Sequence, residues 1–360
     1  MKYFVRLSMF VLSFLLFSPN IYAKQGKEIK VGDYWWNQPP KEKVLENPRK
    51  KDLPLISVKG NEFVNPEGEK VMFRGLATSD PDKLERQGYW NKEYFGEIKK
   101  MGTNIVRIPV HPLAWRERTP RVYLKLLDDA VEWCTELELY VIIDWHSIGN
   151  LEMELFQDPY YETTKKETYG FWRTIAGHFK GNNTVAFYEI FNEPTRFFGR
   201  LGSMTWDEWR EINEDIIGLI RAYDEETIPL VAGFDWAFDL SPIRDKPIDA
   251  KGIGYTAHPY PFKRKKPWEP KWDEMFGFAK ESYPVMVTEF GFDSKEVEKD
   301  EYKDYGEIII SYLENNYISW VCWIFDADWH PAMIKSWHNF ELTGSGEFFR
   351  EAMHGKIGKK

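Results

Sequence analysis

The sequence predicts an α/β fold: a closed (β/α)8 TIM barrel in a single domain, entered through an N-terminal β-hairpin. Three observations carry this. Eight short apolar runs rich in branched and aromatic residues are separated by helix-length segments with helical spacing, an alternation that implies parallel strands joined by crossovers. The eight units occupy about 270 residues, the usual span of such a barrel. Several of the runs end in polar or charged residues, and the C-terminal strand ends are where a parallel barrel keeps its chemistry.

The hairpin comes first, because the stretch 56–68 alternates and turns twice. It feeds a first strand at 71–77, then a helical pattern at 90–100 that Gly102 stops. Further strands are expected at 104–110, 140–144, 185–191, 229–234, 253–256, 284–288 and 318–324. Helical patterns lie between them at 123–137, 167–179, 206–223, 272–280 and 302–315. An open doubly wound sheet would want a glycine-rich phosphate turn after the first strand, and 74–80 does not supply one. No repeat, low-complexity tract or linker marks a second module, so one domain is expected over 55–355.

Residues 1–23 carry Lys2 and Arg6, an apolar core from Met9 to Phe17 and a small residue, Ala23. This order predicts a secretory signal cleaved near Ala23 and a secreted (extracellular or periplasmic) protein. The apolar core is too short for stable membrane insertion. Residues 24–54 are a polar leader without a clear period. The net charge of −9 becomes two units more negative when Lys2 and Arg6 leave, which argues against nucleic acid and anionic membrane as partners. The sequence carries no signal for an oligomeric state. Cys134 and Cys322 each sit in an apolar pattern, so buried free thiols are expected, and two lone cysteines offer no thiolate metal site. Aromatic residues make up 17% of the chain, with 16 Trp; part of that surplus suits a surface that grips something flat and weakly polar.

The polar strand ends hold the candidate site. Arg107 interrupts the second strand and His111 follows it; the third ends in Asp144-Trp145-His146. The fourth ends in Asn192-Glu193-Pro194, where Pro194 cannot donate to a ladder and is expected to stop the strand. The sixth delivers His258-Pro259-Tyr260, the seventh Glu289 before Phe290-Gly291, and the eighth carries Trp323 and ends near Asp326. Singly, each residue has a structural explanation: Arg107 as a neutraliser of a buried carboxylate, Trp323 as core. Jointly, two glutamates facing one Trp-rich cleft suit glycoside hydrolysis. One protonates the leaving oxygen while the other attacks the anomeric carbon, which for retention needs carboxyl groups about 5–5.5 Å apart. Arg107 is expected to keep the nucleophile ionised and a less charge-compensated pocket to keep the acid protonated.

On Asn192-Glu193-Pro194 paired with Thr288-Glu289-Phe290-Gly291, and His258-Pro259-Tyr260 between them, the chain resembles glycoside hydrolase family 5, the cellulase-like retaining enzymes of clan A. The resemblance runs from about Ile56 to the helix after the last strand. It implies that Glu193 is the acid/base and Glu289 the nucleophile. It further implies that Asn192 binds the 2-hydroxyl of the sugar being cleaved, and that Arg107 and Tyr260 hold the nucleophile. His146 would line the same subsite, His258 would sit by the acid/base and Trp323 would be the sugar platform. No metal and no organic cofactor are expected, and the partner is a β-linked polysaccharide or oligosaccharide. Within the family a β-1,4-glucanase is the favoured reading; mannan, xyloglucan and exo-acting β-glucosidase activities are alternatives, as is a non-catalytic carbohydrate-binding protein. A metal-dependent hydrolase would want a His-x-His pair on the first strand, which 73–77 lacks, and His258 has no obvious set of ligand partners. Three loops would choose the substrate: 147–167 with Phe156, Tyr160 and Tyr161, 195–205 with Phe197 and Phe198, and the basic 261–270, read as a solvated run. Asp328 and Trp329 are further possible contacts.

Overall fold

The computed structural model describes residues 53–196, 202–293 and 301–357. The signal segment expected over 1–23 and the leader expected over 24–54, apart from its last two residues, lie outside the described residues, as do Phe197 and Phe198. The hairpin is β1 (Ser57–Lys59) paired antiparallel with β2 (Glu62–Val64). There follow β3 (Arg74–Ala77), β4 (Ile105–Val110), β5 (Tyr140–Trp145), β6 (Ile148–Asn150), β7 (Leu155–Phe156), β8 (Val185–Glu189) and β9 (Glu193–Pro194). The last strands are β10 (Ile228–Ala232), β11 (Gly254–Ala257), β12 (Val285–Val287) and β13 (Ser319–Cys322). Strands β3, β4, β5, β8, β10, β11, β12 and β13 close into a parallel barrel in that order, at the positions the apolar runs predict.

Two details depart from the sequence reading. Pro194 does not stop strand pairing: β9 joins a small sheet with β6 and β7, in register Ile148 with Glu193 and Gly149 with Pro194. The ladder bypasses the proline, because the N–H groups that donate are those of Glu193 to Ser147 O at 3.1 Å and Thr195 to Gly149 O at 2.9 Å. In a parallel pair alternate residues point their N–H at the same neighbour, so a proline at the intervening position costs nothing. Glu193 is thereby fixed by backbone pairing, four residues beyond the barrel strand proper. The helix expected over 272–280 is also broken, into Glu269–Met275 and a 3-10 turn at Gly277–Glu281. A Cβ at Gly277 would fall 1.9 Å from the Tyr312 hydroxyl, so the break lets two layers approach.

The remaining expected helices form at Lys92–Lys100, Pro120–Glu136, Lys165–Phe179, Trp206–Arg221 and Tyr305–Asn315. Each presents a buried apolar stripe to the barrel, and Thr205 with Glu208 closes a capping box at the start of Trp206–Arg221. The N-terminal end of the barrel is plugged with carbon. Phe63 of the hairpin meets Phe73 and Phe187 edge-on, with centroids 6.1 and 5.0 Å away, and Phe73 meets Phe187 at 5.2 Å. Cys134 and Cys322 are buried and unpaired with each other.

Candidate active site

The site is built outward from Arg107. Its strand, β4, is buried along its whole length, and a guanidinium placed there needs acceptors for its donors. Nε and Nη2 make a forked contact with Glu189, at 2.7 Å to Oε2 and 3.1 Å to Oε1. Nη2 also lies 3.0 Å from Asp144 Oδ2 and donates to Asn192 Oδ1 at 2.7 Å, while Nη1 donates to Glu289 Oε2 at 2.8 Å. Burial works against the charge on Arg107, but Asp144, Glu189 and Glu289 outweigh it and raise its pKa further. Burial also lifts the Glu189 carboxyl, yet Arg107 and His258 more than reverse this and bring it down to about 2. Asp144 goes the other way: burial dominates and Arg107 only partly offsets it, so its carboxyl stands well above the usual range. One cation thus organises two structural carboxylates and reaches one of the two cleft glutamates.

Glu289, just past the end of β12, accepts from Arg107 on one oxygen and from the Tyr260 hydroxyl, at 2.9 Å, on the other. Burial and the Glu289 charge push that hydroxyl well above its ordinary pKa, so it stays a donor. Asn192 spends its amide oxygen on Arg107, which leaves its NH2 as the group able to donate to a ligand.

Glu193 has different company. His258 Nδ1 meets its Oε1 at 3.1 Å, and Lys263 Nζ lies 3.7 Å from the same atom. The other His258 nitrogen is 3.0 Å from Thr288 Oγ1 and 3.4 Å from Glu189 Oε1. Burial lowers the pKa of His258, but its bonds to Glu189 and Glu193 win and raise it. Burial lifts the Glu193 carboxyl, while Lys263 and then His258 outweigh that and hold it below the usual range. The expectation of a less charge-compensated pocket for this glutamate is therefore corrected: two basic groups face it.

Ligand-capable oxygens of Glu193 and Glu289 lie within 4.8 Å of each other and of a His258 nitrogen. The sequence reading that His258 lacks possible co-ligands is corrected by this grouping. Both Glu289 oxygens, both His258 nitrogens and Glu193 Oε1 already have protein hydrogen-bond partners.

Glu193, Glu289, Asn192, Tyr260 and Lys263 line an open cleft of about 1620 Å3, larger than a typical small-ligand pocket and suited to an extended chain. One wall is aromatic. Trp323 lies parallel to His146, with centroids 5.3 Å apart at 1°, and near-parallel to Trp329 at 6.1 Å. His146 Nδ1 is 2.6 Å from Asp144 Oδ2, and burial, reinforced by His111 and Arg107, drives its pKa well down, so the ring is neutral. Tyr161 lines the cleft and stacks on His111, while Tyr160 stands exposed at the rim. Asp328 is occupied by Lys83, Gln87 and Trp337.

Arg107, His146, Asn192, Glu193, His258, Tyr260, Glu289 and Trp323 all fall in this one cleft or directly beneath it. Sequence reasoning assigned no role to Glu189, Thr288 or Lys263, and none to Asp144 beyond its place at a strand end. The available signal was Arg107 itself: an arginine inside an otherwise apolar strand demands carboxylates within reach, and Asp144 and Glu189 occupy paired positions on β5, next to β4, and β8, one strand further round.

The chain is similar to known proteins over most of its length. Residues 64–328 match the model of a family described as cellulase, glycosyl hydrolase family 5. The chain is 28% identical over 265 residues to Endoglucanase A of Butyrivibrio fibrisolvens, covering 70% of this chain and 55% of that protein. It is 24% identical over 322 residues to an endoglucanase of Clostridium saccharobutylicum, covering 83% and 65%. The match thus spans between about half and two thirds of these relatives' own length. A crystal structure of a β-glucanase from Saccharophagus degradans superposes with a TM-score of 0.82 at 42% identity, covering 90% of this chain and 99% of that one. The same protein in complex with cellotetraose gives 0.83 at 41%, covering 89% and 99%.

Proposed function

The chain belongs to the cellulase family, glycosyl hydrolase family 5, and from that membership we propose an endo-acting enzyme that cleaves β-1,4-linked glucan with retention of configuration. The observation that carries the mechanism is the approach of the Glu193 and Glu289 carboxylate oxygens to within 4.8 Å. Inverting enzymes keep their carboxyl groups about 6.5–9.5 Å apart to admit a water; retaining ones need about 5–5.5 Å. The choice of glucan is supported by the endoglucanase relatives and by the cellotetraose bound to the Saccharophagus degradans β-glucanase.

In this mechanism Glu289 attacks the anomeric carbon, held by Arg107 and Tyr260, as Glu193 gives its proton to the departing glycosidic oxygen. A glycosyl ester on Glu289 results. Glu193, now a carboxylate beside His258 and Lys263, then takes a proton from water as that water attacks the anomeric carbon and frees Glu289. The Asn192 NH2 group is placed to bind the 2-hydroxyl, and Trp323 supplies the apolar platform under the ring. In the same reading residues 55–355 are the catalytic domain, and removal of 1–23 delivers the protein outside the cytoplasm.

The test is proton NMR of the first product released from a soluble β-glucan. A β-anomer that later mutarotates is expected; an initial α-anomer would overturn retention. On a panel of glucan, mannan and xyloglucan, the fastest fall in viscosity is expected with β-1,4-containing glucan, and faster cleavage of mannan would refute the substrate choice.

A further inference from the structure

The basic run after β11 is solvated only in its second half, at Lys265 and Lys266. Arg264 pairs with Asp235 at 2.8 Å, and Lys263 is buried in the cleft, its side chain 9% exposed. A lysine has three N–H donors and no acceptor. Here Nζ donates to the Asp235 carbonyl at 3.3 Å and to the Trp236 carbonyl, and it lies 3.7 Å from Glu193 Oε1. Two of the three donors are therefore spent on backbone carbonyls, and the ammonium faces Glu193 at ion-pair distance.

The two carbonyls belong to an unusual turn. Asp235, Trp236 and Ala237 have φ of 58, 53 and 57°, and none of them is glycine. Three consecutive left-handed residues persist only where the surroundings over-determine them. The surroundings here are Lys263 on two carbonyls, Arg264 on the Asp235 side chain, and His258 N–H donating to Ala237 O at 2.7 Å. The strand end that carries His258 and Tyr260 is thus bolted to this turn, and the bolt ends at Glu193.

We propose that Lys263 is a positioning residue for Glu193: its ammonium anchors the 235–237 turn and, from that fixed point, stabilises the carboxylate form of Glu193 in both halves of the reaction. The inference rests on the reading of Glu193 as acid/base. Facing Glu193 are His258 past β11, Lys263 beyond it, His146 past β5 and Glu289 past β12, with the Tyr161 and Tyr260 hydroxyls near it. Facing Lys263 are Glu193, Asp235 and Glu289. Burial lowers the pKa of Lys263, with those three carboxylates opposing; the charge of Lys263 and the hydrogen bond and charge of His258 together hold the Glu193 carboxyl down. A cation at this position makes Glu193 a stronger acid in the first step and a weaker base in the second.

The test is the pH profile of kcat/KM on the soluble glucan that the wild type cleaves, for Lys263→Met, Lys263→Gln and Lys263→Arg. The basic limb reports loss of the acid proton in the free enzyme. With the positive charge removed the carboxyl titrates higher, so Met and Gln should move that limb up by about one pH unit, and Arg should leave it in place. A general structural defect would lower the whole profile without moving the limb. An unmoved limb in the Met and Gln variants overturns the proposal, as does an equal shift in all three. If Lys263→Met does not fold, the Gln and Arg pair decides the matter alone. Wild-type protein inactive on every β-glycan would refute the hydrolase reading instead, so the two failures are distinguishable.

Discussion

The two ends of the barrel interior are filled by opposite means. The N-terminal end is carbon: Ile56, Phe63, Phe73, Ile105, Phe187 and Ile228 are all buried in one cluster under the hairpin. The C-terminal half, a few residues further along the same strands, holds Arg107, Asp144 and Glu189, each with no exposed surface. Apolar burial stabilises without needing an exact partner, at about 25 cal/mol per Å2. Buried charge stabilises only if every group meets its complement, and replacing it with apolar residues is often neutral or better for stability. A fold selected for stability alone would carry phenylalanine at both ends. The charged half therefore marks what the molecule is organised to do, and the difference is open to direct attack.

The largest effect is expected at the charged end. Glu289→Ala should cut kcat on the order of 10^5-fold while the thermal midpoint, followed by circular dichroism, stays close to that of the wild type; near-normal turnover would remove the nucleophile assignment. The reverse pattern is expected at the apolar end. Phe187→Ala empties a contact shared with Phe63 and Phe73 and should cost about 3–5 kcal/mol in denaturant unfolding, with kcat per folded molecule unchanged. A matching loss of kcat would mean that the two ends are not independent.

Glu189→Gln sharpens the comparison with a smaller, pH-dependent effect. The folded carboxyl titrates at about 2 against an ordinary 4.5. Its charge therefore stabilises the fold fully above the ordinary value, and that contribution is lost as pH falls toward the folded one. The gap in thermal midpoint between wild type and variant should be widest near neutrality and should close as pH falls from 4.5 to about 2. A gap that does not change with pH would show that the Arg107–Glu189 pair gives no net charge stabilisation.

Much of this was legible in the chain. All eight barrel strands lie where short apolar runs predict them, because a parallel strand buried on both faces is apolar over most of its length. The punctuation after those runs placed Asn192, Glu193, His258, Tyr260 and Glu289 at one mouth, because parallel strands share one C-terminal end. The short helices Pro81–Arg86 and Pro112–Arg118 went unseen, being too brief to show a helical period.

Local pattern therefore determined the element order, the barrel and the placement of the two glutamates at strand ends, since each depends on residues a few positions apart. Closure of the barrel decided the rest. It set the gap between positions 193 and 289, gathered Asp144 and Glu189 around Arg107, and drew Lys263 out of a basic run into contact with Glu193. These contacts join strands remote in sequence, and their lengths follow from strand stagger and loop packing, which no periodicity within one segment encodes.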